Sequence, residues 1–307
     1  MMNNKEKKVI SAVLYLYNNE NVIVPFVKKM SNALEALFEK IEIIIVNDAS
    51  TDNSVELIKR DLELKKHNIS IVQMSFHQGI EVSMTAGIDL SLGDFIYEFD
   101  DLLIDYDISL IEKSYRQLIE GNDIVTVSPL KSNSLMSTLF YKVYNYFSLS
   151  RYKIQSDRFR ILSRRSINRA YSISKSIPYR KALYTNSGLK IKSIDYVPNQ
   201  IREKSTNLFR NKMAINTLII YTNLAFRISI AITMLLFLFT LGTVFYTLII
   251  YFSNQKPIEG WTTLMIVISG SFSGLFFLLA IIIKYLSLLV ELVYSKKVYL
   301  YESIETL

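Results

Sequence analysis

No cysteine occurs in the 307 residues of the chain, and the only histidines are His67 and His77. The first absence excludes a disulfide framework and any thiolate-held metal. The second leaves too few imidazoles for a zinc site, so any metal would be held by carboxylates. Charge is missing too over two long stretches, Arg227 to Lys256 and Glu259 to Lys284. Soluble helices rarely run so far without a charged face, and each stretch exceeds the ~20 apolar residues that cross a hydrocarbon core. The expectation is a pair of transmembrane helices over about 228–252 and 261–283. The other apolar run, Val9 to Tyr17, is too short to span and lacks a small-residue cleavage site, so it reads as a strand, not a signal peptide.

Hydrophobic residues make up 50% of the chain, and mean hydropathy is +0.23. That is too apolar for an ordinary soluble enzyme and not apolar enough for a channel. One catalytic-size domain with a smaller module fits the length. The net charge of +7, from 35 basic and 28 acidic residues, suits either nucleic acid or an anionic membrane. Its placement decides for the membrane. Arg202, Lys204, Arg210, Lys212 and Arg227 cluster just before the first apolar stretch, where an anionic cytosolic leaflet attracts them. Nucleic acid is not an expected partner.

The linker Ser253 to Gly260 is short and carries one lysine, whereas Lys296 and Lys297 follow the second stretch. The positive-inside rule then makes a hairpin with both chain ends in the cytosol. The protein is thus expected to be multi-pass in the cytoplasmic (inner) membrane, with Trp261, Tyr246 and Tyr251 in the outer interfacial belt. Between Asn207 and Arg227, Leu208, Met213, Leu218 and Ile219 alternate with Arg210, Lys212 and Asn216. This is the pattern of a helix lying in the headgroup plane. The expected divisions are a cytosolic domain 1–200, an amphipathic juxtamembrane segment 201–227, and a transmembrane hairpin with cytosolic tail 228–307.

The first domain alternates strand and helix patterns. Strands are expected at Val9–Tyr17, Ile41–Asn47, Ile69–Met74, Phe95–Asp100 and Asp123–Val127. Val22, Phe26, Val27, Met30, Ala33, Leu34 and Leu37 recur at helical spacing. Further helices are expected from Asp52, as N-cap, to Lys66, over Glu81–Ser91 and over Ser109–Glu120. Such alternation implies an α/β fold, a mostly parallel sheet with helices on both faces. Ligands in these folds bind beyond the carboxyl ends of the strands, at Tyr17–Glu20, Asn47–Asp52, Ser75–Gly79 and Asp100–Asp105.

The run Val46-Asn47-Asp48-Ala49-Ser50-Thr51-Asp52-Asn53-Ser54 is, taken alone, a turn and helix cap. It has company, however. Tyr17-Asn18-Asn19-Glu20 follows the first strand, His77-Gln78-Gly79 precedes a helix holding Thr85-Ala86-Gly87, and Gly93-Asp94 through Asp100-Asp101 ends the fourth strand in acid. In this order and spacing the chain resembles the family 2 glycosyltransferases of GT-A fold. Phe159-Arg160-Ile161-Leu162-Ser163-Arg164-Arg165 is similar to a segment of their membrane-anchored branch, which includes dolichol-phosphate mannose synthases and bactoprenol-phosphate glucosyltransferases.

The resemblance implies transfer of a sugar from a nucleotide-sugar to a lipid-linked acceptor in cell-surface polysaccharide assembly. It places Tyr17, Glu20, Asp48, Asp52 and Gly79 at the nucleotide, and Asp100, Asp157 and Arg160 at the chemistry. It implies Mg²⁺ or Mn²⁺ at Asp100 and Asp101, because a leaving diphosphate needs its charge neutralised. A homo-oligomer is left open. Leu102 stands where the family has its second aspartate, so metal binding would rest on Asp100 with Asp101, on Asp105, or on Glu98. Arg158 separates Asp157 from Phe159 where the family has an acid directly before its Phe-Arg pair, and Arg202-Glu203-Lys204-Ser205 only partly matches the juxtamembrane pattern. Arg151, Lys153, Arg158, Arg164, Arg165 and Arg169 read as a solvated basic face, and Glu81, Asp94 and Asp123 as surface or capping groups. The acceptor is either a polyprenyl phosphate, already ionised, or a sugar hydroxyl, which needs a base. The phosphate is favoured. A reading from another class is a non-catalytic, membrane-anchored nucleotide-sugar-binding subunit with a degenerate metal motif.

Overall fold

A computed structural model describes residues 5–130, 135–148, 150–173, 179–199, 260–294 and 301–306, with scattered positions between 217 and 249. The chain divides into two compact units, 1–214 joined by 295–307, and 215–294. The elements of the first unit up to the middle of the sheet are β1 (Glu6–Leu16), α1 (Ile23–Leu37), β2 (Phe38–Asn47), α2 (Ser54–Arg60), a 3₁₀ turn (Leu64–Lys66), β3 (Ile69–Met74), α3 (Ile80–Leu90), β4 (Phe95–Phe99) and α4 (Ser109–Ile119). There follow β5 (Ile124–Pro129), α5 (Leu135–Phe147), β6 (Phe159–Ser163), α6 (Arg164–Ile173), α7 (Arg180–Asn186) and β7 (Ile191–Tyr196). The second unit contains α8 (Trp261–Tyr294), and β8 (Tyr301–Thr306) returns to the first.

One sheet runs in the order β7-β5-β6-β4-β1-β2-β3-β8. The β1–β2, β1–β4, β2–β3 and β5–β7 pairs are parallel, as the alternating pattern requires. The antiparallel members are β6, inserted between β4 and β5, and β8 on the outer edge of β3. Alternate strand residues feed opposite faces. Ile10, Ala12, Leu14, Ile43 and Ile45 pack under Phe26, Met30 and Leu34 of α1. Val13, Ile44 and Val46 pack with Met84, Ala86 and Ile88 of α3. Covered on both faces, the central strands carry unbroken apolar runs. At Gly87 an added Cβ would lie 2.5 Å from Val13 Cγ1 and 2.6 Å from Val46 Cγ2, so only glycine lets α3 settle this closely on β1 and β2.

The expected helix from Asp52 to Lys66 is two pieces, α2 and the 3₁₀ turn, broken at Asp61, whose side chain accepts the N–H groups of Glu63 and Leu64. The segment expected as a cytosolic tail contains β8, which pairs Val72 with Ile304.

The expected amphipathic segment 201–227 and first span 228–252 fall mostly outside the described residues. The second is part of α8, which continues to Tyr294. Counting only the described residues, no helix is long and apolar enough to cross a membrane. Within the second unit, a Cβ at Gly274 would collide with the Leu236 side chain, so the two segments touch at a residue without a side chain. Leu264, Ile268, Phe272, Leu275, Ile282 and Leu286 of α8 are exposed.

Candidate active site

The strand order reverses direction at β1, between β4 on one side and β2 on the other. The crevice at the carboxyl ends of these strands is where an α/β sheet binds ligands. One wall is built by lacing the loops after β1 and β2. The Asn18 N–H donates to Ser50 Oγ at 3.0 Å and the Thr51 N–H to Asn18 Oδ1 at 2.8 Å. The Glu20 N–H donates to Asp52 Oδ2 at 3.0 Å, and the Asn53 N–H to Glu20 Oε2 at 3.1 Å. Among the described residues, the two non-glycine positions with positive φ sit in these loops, Asn18 at 49° and Ala49 at 56°. Strain of order 1 kcal/mol held at such a place is typical of ligand clamps.

Asp48 is completely buried and organises the second wall. It accepts the Gln78 N–H at 2.7 Å, the Gly79 N–H at 2.9 Å and the Tyr15 hydroxyl at 2.9 Å, and His77 Nδ1 lies 2.9 Å away. Burial first, and then the Asp48 charge, push the Tyr15 hydroxyl far above its ordinary pKa, so it remains a donor. Gly79 itself adopts φ 90°, ψ 160° at the start of α3, a region open essentially to glycine alone. The His77 ring stacks on Tyr17 with centroids 4.2 Å apart and 27° between planes.

The structure therefore brings Tyr17, Glu20, Asp48, Asp52 and Gly79 to one edge of the crevice. The carboxylates there are committed to backbone N–H groups. Ser54 holds Asp52 below its usual pKa against the opposing pull of burial. The aromatic pair Tyr17–His77 is what faces outward.

At the end of β4 the acids meet guanidiniums. Asp100 Oδ1 accepts from Arg180 Nη2 at 2.6 Å, and Oδ2 pairs with Arg160. Glu98, fully buried, accepts Arg180 Nη1 at 2.6 Å and the Tyr184 hydroxyl at 2.6 Å. Arg180 also reaches Glu81 at 3.0 Å. Glu81 was expected at the surface; it is only 6% exposed. Burial raises the Glu98 pKa although Arg180 and Arg160 pull it down. For Asp100 the balance reverses: burial acts upward, but Arg160, Arg180 and Lys181 hold it well below the carboxylate range.

Arg158, expected with the solvated basic residues, is buried too. Its Nη1 lies 2.9 Å from Asp101 Oδ2, its Nε donates to Asp105 at 2.9 Å, and Tyr196 closes on Asp105 at 2.6 Å. Asp157 lies between Lys181 and Arg160, with Arg160 Nε 3.1 Å from Oδ2.

In this structure the acids expected to hold a divalent cation are engaged by other groups. Both oxygens of Asp100 face arginines, Asp101 has Arg158 on one oxygen and the Leu103 N–H on the other, and Asp105 is enclosed. Leu102, in place of the family's second acid, is in the core. Among the described residues no group of three or more His, Cys, Asp or Glu is placed to hold a metal ion.

Arg180, Lys181 and Tyr184 of α7 were not foreseen. Nothing in their spacing links them to β4, some 80 residues earlier. The sequence pointed toward this cluster through Asp100, Asp157 and Arg160, and through Glu98 as a further acid beside Asp100.

A laced strand-end wall, a buried ionic floor and a mostly parallel sheet interrupted by an antiparallel strand define a GT-A-like glycosyltransferase. The chain belongs to glycosyl transferase family 2, whose profile matches residues 11–185. It is similar to the uncharacterized glycosyltransferase YkcC of Bacillus subtilis, 24% identical over 278 residues, covering 88% of this chain and 85% of that protein. Undecaprenyl-phosphate 4-deoxy-4-formamido-L-arabinose transferase of Salmonella choleraesuis is 28% identical over 144 residues, 45% of this chain and 42% of that one. Among solved structures, the fold is shared with the mannosyltransferase PcManGT of Pyrobaculum calidifontis bound to GDP-Man and Mn²⁺. The TM-score is 0.52 at 11% identity, over 95% of this chain and 88% of that one. It is shared also with glucosyl-3-phosphoglycerate synthase of Mycobacterium tuberculosis, solved with Mn²⁺, UDP and glucosyl-3-phosphoglycerate. There the TM-score is 0.53 at 16% identity, over 70% and 80% of the two chains.

Proposed function

We propose that the protein transfers a sugar, with inversion, from a nucleotide-sugar to the phosphate of a polyprenyl-type membrane lipid on the cytosolic leaflet. The observation that carries this is the state of Asp157. Its carboxylate is only 4% exposed and both of its oxygens face cations, Oδ1 Lys181 and Oδ2 Arg160, so neither oxygen is turned toward an acceptor hydroxyl. An acceptor hydroxyl would need a base; a phosphate monoester, with a second pKa near 6, is already ionised.

The reaction is then a single displacement. A phosphate oxygen of the acceptor attacks the anomeric carbon, and the carbon–oxygen bond to the donor diphosphate breaks. The nucleoside diphosphate leaves with the electron pair, and no proton has to move. Tyr17 and His77 present stacked rings to the donor base, and the Asp48-held turn positions the start of α3 beside the diphosphate. Relatives named as undecaprenyl-phosphate sugar transferases support the acceptor class.

The membrane part rests on the second unit. Its exposed apolar side chains on α8 and the small-residue contact Gly274–Leu236 are what lipid-embedded helix pairs use. Because β8 lies on β3, the chain that leaves the sheet after β7 comes back to it. That supports an even number of crossings by 215–294, with both flanks on one side of the membrane, the side that the basic residues flanking the apolar stretches make the cytosol. Arg210 and Lys212 would hold the domain at the bilayer, each adding about 1 kcal/mol near anionic lipid.

The test is a screen of full-length protein in detergent with radiolabelled nucleotide-sugars, offering polyprenyl phosphate or the uncharged polyprenol. Label is expected in the lipid phase with the phosphate alone. Transfer to a lipid-linked sugar hydroxyl and not to the phosphate would overturn the reading.

A further inference from the structure

On the β5–β7 side of the crevice lies a cavity of about 240 Å³, walled by Ile124, Ile154, Ile191 and Tyr152. The charged side chains that line it are Lys153, Asp157, Arg160 and Lys181, three cations against one carboxylate. Glu98 and Asp100 meet Arg160 from the far side, where Arg180 shares their charge. Among the side chains that line the cavity itself, cations outnumber carboxylates.

The ionic contacts at its floor are imperfect. Asp157 and Arg160 have side chains only 4% and 1% exposed; Asp157 Oδ1 is in contact with the Lys181 ammonium, yet Arg160 Nε and Nη1, 3.1 Å from Asp157 and 3.3 Å from Glu98, make no well-formed hydrogen bond. Buried charged groups normally complete their hydrogen bonds, at a cost of about 1–3 kcal/mol for each left unmade. The donors here are brought together around a carboxylate that satisfies them poorly.

We infer that the cavity is the binding site for a phosphate-monoester anion, held by Lys181 and Arg160, and that Asp157 is an internal stand-in for it. A tetrahedral dianion offers more acceptor oxygens than a carboxylate, in geometries a guanidinium fork can take bidentately. On arrival it displaces Asp157 from the pair. Lys181 stays charged to receive it: burial works against the ammonium, but Asp157 more than offsets this and raises its pKa. The inference rests on the reading above for the identity of the anion as the acceptor's. It adds the residue Lys181 and makes Asp157 a competitor of the substrate, not its base.

Binding of inorganic phosphate and of a short-chain isoprenyl monophosphate to the full-length protein, followed by ³¹P NMR and calorimetry, tests this apart from turnover. Asp157→Asn should tighten both ligands by about tenfold, near 1.4 kcal/mol, the scale of one charge-assisted hydrogen bond. Lys181→Ala should abolish binding and Lys181→Arg restore it, which separates loss of the site from loss of the fold. Tighter binding of the isoprenyl compound than of inorganic phosphate would assign the site to a lipid headgroup; equal binding would assign it to free phosphate.

The inference is overturned if Asp157→Asn leaves anion affinity unchanged or weaker while turnover collapses, the behaviour of a base. If instead these affinities move as stated but no sugar reaches polyprenyl phosphate, the anion site stands and the proposed acceptor fails.

Discussion

Arg180 Nη2 and Asp100 Oδ1 lie 80 residues apart in the chain and 2.6 Å apart in the fold. Through that contact α7 is fastened to the end of β4, and the same guanidinium continues to Glu98 and Glu81. Without it Glu81 loses its guanidinium partner, and Glu98 and Asp100 are left to share Arg160. Removing one partner of a buried ionic group costs about 3–5 kcal/mol because the others are left uncompensated. Arg180→Ala should therefore lower stability by about that amount, and Arg180→Lys by less, in denaturant titrations. A loss under ~1 kcal/mol would be that of an exposed pair, and would contradict the burial described.

The same cluster dictates a pH dependence. Asp100 is held below the ordinary carboxylate range in the folded protein. Its contribution to stability is thus fully present above the unfolded value, ~3.9, and is lost as pH falls through the depressed native one. The stability gap between the natural protein and Asp100→Asn should be constant near neutrality and narrow below about pH 4. A gap that widened on acidification would mean that the sign assigned to this group is wrong.

Asp48 is expected to act on nucleotide affinity through the turn it holds. Asp48→Ala removes the acceptor of the Gln78 and Gly79 N–H groups, so calorimetry with a nucleoside diphosphate should show weaker affinity. Gly79→Ala, forced into a conformation costing about 1–3 kcal/mol, should weaken it as well. Tyr17→Ala should do so with no change in folding, since that ring is partly exposed and stacks only on His77.

Mn²⁺ added to the free protein should give no bound signal by electron paramagnetic resonance, because Asp100 and Asp101 already face Arg160, Arg180 and Arg158. A stoichiometric bound population would show that the arginines yield to the ion.

Orientation is tested by reporters. One inserted at Gln255 is expected outside the cytosol and one fused after Leu307 within it. The reverse labelling would remove the cytosolic donor from the proposal.

Much of this architecture is legible in the residues, and the reason differs from part to part. β1 to β5 announce themselves because strands covered on both faces must be apolar throughout. The donor edge is legible because short polar turns follow each of these strands in order. β6 is not, since Phe159-Arg160-Ile161-Leu162-Ser163 carries an arginine whose partners come from β4. β8 is hidden for the opposite reason: an edge strand with Glu302, Ser303 and Glu305 has no apolar run to reveal it. The pairings Arg158–Asp105 and Arg180–Asp100 depend on which strands become neighbours, and local periodicity says nothing about that.

The C-terminal strand also sets an order of events during synthesis. Domains fold as the chain emerges, N-terminal parts first, yet β3 receives its outer neighbour only when Tyr301–Thr306 has left the ribosome. Until then its row of unpaired backbone groups is open, a hazard for pairing with other chains. Residues 301–306 are thus made well after β3 and complete its pairing. Truncating them would leave an enzyme whose edge stays permanently unfinished, prone to associate through β3.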